Sequence, residues 1–343
     1  MNMLLKKKVF LLTCVVVITT LVLFGCSSKP AETPEPEGKT KIEIPKKVMA
    51  VGSGPSGSLY VNFTAAWADL LMKNIEGLNI TVEPGGSSQN MQSIHNGNVE
   101  FGITATLQTY QGYYGIGWAK GVKYDKVTSL FPAYSYEGIF FTKANSPINT
   151  IYDLNGKIVS TGYAGGGSDV TGRELLDFYG IKPKEIVNAS WSDVGGMLKD
   201  GLIDAVFYLA GHPAGFIQEL ELTNDLKFIQ ISDEDIKRFL EEKPYYNVGI
   251  IPAGTYKGMK EDYKAFQGWN FIAASPDLPE DFVYELMKVT WDNIELIHEA
   301  HKSFVQADLK NVKYLNLPLH PGAEKYYKEK GVELPTIPPP PKK

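Results

Sequence analysis

Cysteine, arginine and histidine are scarce in this chain, with two, two and five copies in 343 residues. Each scarcity excludes a class of chemistry. Cys14 sits inside an apolar leader and Cys26 at its end, so the body that follows has no thiol for a disulfide, a nucleophile or a metal site. With only Arg173 and Arg238, no arginine cluster for phosphate or nucleic acid can be assembled. The formal net charge is −5, and it becomes more negative once the three leader lysines are set aside. That balance suits neither nucleic acid nor an anionic membrane surface. What is plentiful is aromatic: 19 tyrosines and 5 tryptophans, a composition suited to lining a pocket.

The leader decides the compartment. Lys6, Lys7 and Lys8 precede an apolar or Thr/Cys run, Val9–Phe24, closed by Gly25-Cys26. A basic start, an apolar stretch and a small-residue processing site are the pattern of an export signal. A transmembrane anchor is the competing reading, but the run is short and no basic stop follows it closely. Leu23-Phe24-Gly25-Cys26 resembles a bacterial lipobox, which implies removal of residues 1–25 and lipid on Cys26. The predicted mature chain is therefore an extracytoplasmic lipoprotein on the cell surface or in the periplasm. Residues 26–47, rich in Pro, Glu and Lys and without aromatics, read as a tether. Residues 333–343, with TIPPPPKK, read as a Pro-rich tail.

Between the ends, short apolar strands alternate with helical patterns, which predicts an α/β protein with mostly parallel sheets. The pattern repeats itself. Strand 48–51, a Gly/Ser loop, a helix to about Ile75, strand 79–82, a second Gly/Ser loop, a helix and strand 99–104 make one unit. Strand 157–160, the loop Gly165–Ser168, helix 171–179, strand 185–188, helix 194–200 and strand 205–209 make another. Both close on one phrase, IHNGNVEF and LKDGLIDA, in which Gly97 and Gly201 end a helix before a strand. Two such units predict two lobes with a cleft between them. Strand-like segments 130–141 and 269–274 bracket the second unit and are the expected crossings. Helices Glu280–Asp292 and Ile294–Phe304 are expected to return to the first lobe. The predicted boundaries are 48–142 plus 267–332 for lobe I and 143–266 for lobe II.

Gly52-Ser-Gly54-Pro-Ser-Gly57 has the G-x-G-x-x-G spacing of a dinucleotide loop, and Glu83 stands where such a site places its ribose-binding acid. Three features oppose that reading: the export signal, a comparable Gly/Ser loop in the second unit, and the hydroxyls of Ser56, Ser58 and Tyr60. A more general reading covers all the loops. Glycine-rich turns let backbone N–H groups converge, and the following helix N-termini add partial positive charge. Loops 52–58, 85–88 and 165–168 would thus build an anion-binding cleft without arginine. Each serine could instead cap only its own helix. No cofactor, metal site or catalytic group is expected.

The segments VGSGPSGSLY, EPGGSSQNMQSIHNGNVEFGI, DLNGKIVSTGYAGGGSDVTGRELLDFYGI, LKDGLIDAVFYLAGHPAGFIQEL, IPAGTYKG and LPLHPGAEKYYKEKGV resemble, in order, the landmarks of the TAXI family. These are the extracytoplasmic solute receptors of one branch of TRAP transporters. The resemblance spans Val48–Val332 and implies a two-lobe, type II periplasmic-binding-protein-like fold. It also implies capture of a small polar solute, a carboxylate or amino acid, for delivery to the TRAP membrane subunits, the permease. The implied partners are thus the solute, the permease and, through Cys26, the membrane, with the receptor a monomer. Carried onto this chain, the ligand-binding positions are Ser53, Gly54, Ser56, Gly57, Ser58 and Tyr60 in the first loop. Gly86, Ser87 and Asn90 follow, then Gly165, Gly166, Gly167 and Ser168, with Phe207, Gly211 and His212 on the opposite wall. Pro55 and Ser56 stand where the family usually has glycine and threonine. Gly-Gly-Gly-Ser-Asp replaces its commoner second loop, so Asp169 adds a carboxylate beside the expected anion site and leaves room for an amine-bearing ligand. Rival readings are an exported enzyme acting in the same cleft, or an ABC-type receptor or sensor.

Outside those motifs, Thr104 and Gln108 follow a strand end and are candidates for orienting a ligand, as is Tyr136 in the first crossing. Tyr113 and Trp118 read as core. His298 and His301 with Glu295 and Glu299 are near neighbours on a helix, but H-E-x-H is not the zinc-protease spacing, and solvated surface is the better reading. His320 reads as structural.

Overall fold

The repeated phrase in the sequence is a repeated phrase in space. In the computed structural model, which describes residues 39–56 and 58–341, the first unit is β1 (Met49–Gly52), α1 (Leu59–Asn74), β2 (Ile80–Glu83), α2 (Ser87–His95) and β3 (Phe101–Ala105). β1 lies between β2 and β3 and pairs in parallel with both. The second unit is β5 (Ile158–Gly162), α4 (Gly167–Phe178), β6 (Glu185–Asn188), α5 (Trp191–Asp200) and β7 (Ala205–Ala210). β5 lies between β6 and β7, again in parallel. Gly97 and Gly201 close the α2 and α5 helices at φ +72° and +76°. A side chain there would be strained, which is why both phrases turn on glycine. α1 buries Phe63, Trp67, Leu70 and Leu71, one face at helical spacing, against the sheet. The Trp67 indole donates to Thr290 at 3.0 Å, pinning that face to a later helix.

Two long strands join the units. β4 (Thr128–Lys143) and β10 (Tyr263–Ala274) run antiparallel to each other. β10 pairs with β3 through Asn270–Ala274. β4 pairs with β7 through Glu137–Phe141. The resulting order is β2-β1-β3-β10-β4-β7-β5-β6, with β8 (Leu226–Ile229) beside β4 and β9 (Asn247–Ile251) beside β10. Each unit is parallel as its pattern predicts. The crossings meet them antiparallel, because each runs back from one lobe to the other, so the whole sheet is mixed. The register of β4 and β10 shifts between Asn270 and Phe271 and between Ile272 and Ala273. This is the α/β, two-lobe, periplasmic-binding-protein-like architecture that the sequence predicts.

One core gathers Phe63, Trp67, Phe101 and Phe131 with helices α8 (Glu280–Asp292), α9 (Glu295–Ala300) and α10 (Pro321–Glu329). The last helices thus return to the first unit, with a 3-10 turn at Lys302–Gln306 in place of a continued α9. A second core holds Phe140, Phe207, Phe239 and Phe266, joined by Leu107 and Tyr110 of α3 (Thr106–Tyr114). α6 (Gly215–Leu220) and α7 (Asp233–Glu242) complete the helices of the second lobe. Residues 39–47, placed by composition in the tether, lie against the body. Thr40 bridges to Ile75, Ile42 and Ile44 pack on the first core, and Lys46 pairs with Glu100 at 2.7 Å. Two isoleucines among lysines and glutamates are enough apolar surface to dock a short segment. In the Pro-rich tail, the Pro338 and Pro339 carbonyls accept hydrogen bonds from Tyr114 and Tyr110. The leader, Cys26 and the tether up to Gly38 lie outside the described residues. Among the described residues, no helix is long and apolar enough to cross a membrane.

Candidate functional site

The C-terminal ends of β1, β3 and β7 and the N-termini of α1, α2 and α4 meet at one cleft, where open α/β sheets place ligands. Two adjoining cavities of about 550 and 540 Å³ share Leu59, Tyr60, Gly86, Tyr134, Gly167 and Leu209 as walls. A cleft of this size accommodates a small organic molecule.

The first lobe supplies its side of the cleft through tight turns. Ser53 is fully buried, and its Oγ shares a hydrogen bond with Thr64 Oγ1 at 2.8 Å. It fastens the loop to α1 and does not line the cleft. Gly54 is packed so closely that a Cβ there would lie 2.6 Å from Ser58 Oγ. Ser56 is exposed at the loop tip, and Gly57 lies outside the described residues. Ser58 stands at the start of α1 without capping it, and its buried Oγ has no hydrogen-bond partner among the described residues. The Tyr60 hydroxyl donates to Asn270 Oδ1 at 2.7 Å and lies 2.8 Å from Ser87 Oγ. Burial pushes its phenol far above the ordinary range, which keeps it a proton donor at neutral pH.

Gly86 is the extended residue that opens α2, with open space where a side chain would stand. Gly86, Ser87 and Gln108 all line the larger cavity. Thr104 is buried one layer deeper, its hydroxyl 3.3 Å from the Ser87 carbonyl. Asn90 is deeper still. Its amide donates at 2.7 Å to both the Ser53 and Ile103 carbonyls, so it ties the first loop to β3 beneath the cleft. Tyr136 faces the cavity from β4, its hydroxyl 3.2 Å from Thr106 Oγ1, and burial pushes its phenol up to about 12.

In the second lobe, Gly166, Gly167 and Ser168 line the smaller cavity. Gly166 opens α4 with no side-chain cap, and Ser168 Oγ accepts the Leu209 N–H at 3.0 Å, locking α4 to β7. Gly165 turns at φ +71° and gives its N–H to Asp169 Oδ2. Asp169 does not face the cleft as an open carboxylate, which corrects the expectation drawn from the loop sequence. It accepts from Thr161, the Gly165 N–H and Asn188, and pairs with Arg173 at 2.8 Å. Burial pushes its carboxyl up, but these donors overcome it and hold the group below the usual range.

Gly211 lines the larger cavity beside Leu209 and Ala210. Phe207, on the same strand, is wholly buried and fills the space left by Gly138 and Gly172. His212 is turned inward, Nδ1 against the Tyr256 hydroxyl and Nε2 3.2 Å from the Glu137 carbonyl. Burial pulls its imidazole down to about 4 against that carbonyl, so the folded ring is neutral at pH 7. His320 is held down to about 4 by burial as well, its Nε2 against the Leu278 carbonyl. Histidines of the unfolded chain charge near pH 6.5. The two rings therefore contribute stability that is complete above about pH 6.5 and is lost as pH falls toward about 4. A His320→Asn variant, which keeps a side chain able to cap α10, is expected to flatten this loss. Urea midpoints measured from pH 7 to 4 check it, and an unchanged slope would refute the assignment.

Leu59 in the first loop and Leu209 in the segment 207–213 line the cleft as the resemblance implies, whereas Tyr134, Tyr163, Thr171, Trp191 and Asn270, which line it too, were not picked out from the sequence. Two of these five had a signal. Tyr134 is two residues from Tyr136 on a strand and so shares its face. Asn270 is the one polar residue in the apolar run WNFIAA.

A family model described as the NMT1-like family matches residues 51–331. Among solved structures, the chain is similar to a TctC solute-binding protein from Polaromonas, at TM-score 0.52 and 16% identity, over 77% of this chain and 90% of that one. It is similar also to XAC2383 from Xanthomonas citri bound to ATP, at TM-score 0.51 and 12% identity, over 83% of this chain and 95% of that one. At these identities the likeness is one of fold.

Proposed function

The chain belongs to the NMT1-like family, and from that membership and the cleft we propose that it is an extracytoplasmic solute receptor. It captures a small polar solute, a carboxylate in particular, and presents it to a membrane transporter. The TAXI-like motifs favour a TRAP-type permease as that transporter. The export signal and lipobox-like Cys26 favour a receptor tethered to the membrane by lipid.

One observation carries the reading. The helices α1, α2 and α4 all begin at the cleft with no side-chain cap. Their first N–H groups are left for another acceptor, and the helix dipoles favour a negative one. Ser190 and Ser232 cap α5 and α7 with their own hydroxyls, while α3, α6, α8 and α9 also begin without a side-chain cap, so it is the meeting of three open N-termini at one cleft that counts. An anionic group bridging the two lobes would satisfy N–H groups from both at once. Such a bridge favours the closed arrangement, with β4 and β10 as the connection that bends. The cleft lining offers hydroxyls, amides and rings rather than an imidazole or carboxylate positioned for proton transfer, which supports a receptor over an exported enzyme.

Thermal shift and calorimetric titration against carboxylates and amino acids test the proposal, on protein stripped of carried-over ligand by unfolding and refolding. Saturable stabilisation is expected; failure of every solute to bind overturns it. Tyr60→Phe is expected to weaken the bound solute about tenfold and to lower stability by about 1 kcal/mol, the loss of one hydrogen-bonded hydroxyl. Titration calorimetry and urea denaturation separate the two effects.

A further inference from the structure

The charge of the cleft narrows the solute further, on the premise that this is a receptor. Among the described residues, neither cavity is lined by an Asp, Glu, Lys, Arg or His side chain. The nearby acids do not form part of either lining. Asp169 is held by three donors and Arg173. Glu174 pairs with Lys243 and accepts from Tyr245 through Oε1; its Oε2 is buried without a partner among the described residues, and the residue is not part of the lining of either cavity. Glu137 accepts from Ser135 and Gln267 on the face of β4 opposite Tyr136.

An anion entering the cleft finds compensation: three uncapped helix N-termini and the buried Ser58 Oγ, unpartnered among the described residues. An ammonium group entering the same space finds no carboxylate, and it faces the positive ends of the same helices. A buried charge without a counter-charge is strongly disfavoured. The remaining lining is uncharged: Leu59, Leu209, Tyr134, Tyr163 and Trp191 give it an apolar and aromatic part beside the polar side chains of Gln89, Gln108, Thr171 and Asn270.

We propose that the cleft selects an organic anion with an uncharged, apolar or ring-bearing body, and discriminates against the amino acid that differs from it only by an α-ammonium group. The amide of Gln108 lines the larger cavity where an acid would be needed to reverse that choice.

Matched pairs test it: 3-phenylpropionate against phenylalanine, 4-methylpentanoate against leucine, and glutarate against glutamate. 3-Phenylpropionamide serves as the uncharged control. Calorimetry is expected to give each carboxylate that binds at least a tenfold tighter dissociation constant than its amino partner, and 3-phenylpropionate at least tenfold tighter than its amide. A Gln108→Glu variant, close in shape, is expected to narrow the gap within each pair at least threefold. Amino acids binding as tightly as their partners, or more tightly, overturn the discrimination while leaving the receptor reading intact. An amide as tight as the acid overturns the requirement for an anion. If no member of any pair binds stripped protein, the receptor reading falls and this inference falls with it.

Discussion

A Gly86→Asp variant is expected to be more stable than the parent and unable to hold its solute. Gly86 opens α2, makes no cap of its own, and among the described residues nothing beyond its own stretch of chain lies within 4 Å of where a Cβ would stand. Its backbone is extended, which any residue can adopt. An aspartate there can accept from the first N–H groups of α2, a gain of about 0.5–1 kcal/mol from cap and dipole together. In a chain of this size that raises the melting temperature by about 1–2 °C. The same carboxylate occupies the position offered to the solute's anion and repels it, so affinity is expected to fall at least a hundredfold, or about 3 kcal/mol. Gly86→Ala adds bulk without charge and is expected to bind nearly as the parent. Scanning calorimetry of the empty protein and titration of a bound carboxylate give the two readouts. Retained affinity in the aspartate variant would remove α2 from the binding surface.

Asn90→Ala is expected to cost about 3 kcal/mol of stability, read as a lower urea midpoint. The amide is buried and supplies donors to two carbonyls, Ser53 on the first loop and Ile103 on β3. Truncation leaves both carbonyls buried without a donor, at about 1–3 kcal/mol each if water cannot enter, and opens a void besides. The neighbourhood is built around this side chain. A Cβ at Gly85 or Gly52 would lie 2.2 or 2.6 Å from Asn90 Oδ1, so glycine is required at both places. Asn90→Asp keeps the shape but cannot donate, and it should lose nearly as much. A loss below about 1 kcal/mol in both variants would mean that the loop is held by other contacts.

Asn90 also marks how far the sequence could be read. Its place in a Gly/Ser loop motif pointed to the right region, and the structure puts it beneath the loop. Ser53, Phe207 and His212 were singled out on the same grounds and are likewise turned into the body. Spacing fixes which residues share a loop. It does not fix which way each side chain turns, because that depends on partners far along the chain, such as Tyr256 for His212. The two units and the crossings were legible because period-2 and period-3.6 patterns and the glycine turns are local signals. Trp191 and Thr171 carried no such signal. They reach the cleft because the second unit faces the first, a relation set by β4 and β10 rather than by any neighbouring residue. Asp169 was legible as a charge near the loop, and the donors that absorb it were not.

The register shift between Asn270 and Phe271 has a mechanical meaning. Irregular points in a ladder are where a sheet yields when its two halves rotate, since fewer evenly spaced bonds resist there. In this molecule the yielding point carries Asn270, whose Oδ1 holds the Tyr60 hydroxyl and whose amide reaches the Tyr134 carbonyl. On the proposed reading, one side chain would thus couple the angle between the halves to a ring of the cleft wall. The joint thus works as a lever with a short arm. On the proposed receptor reading, a solute pressing on Tyr60 would pull on β10, the strand that carries Asn270.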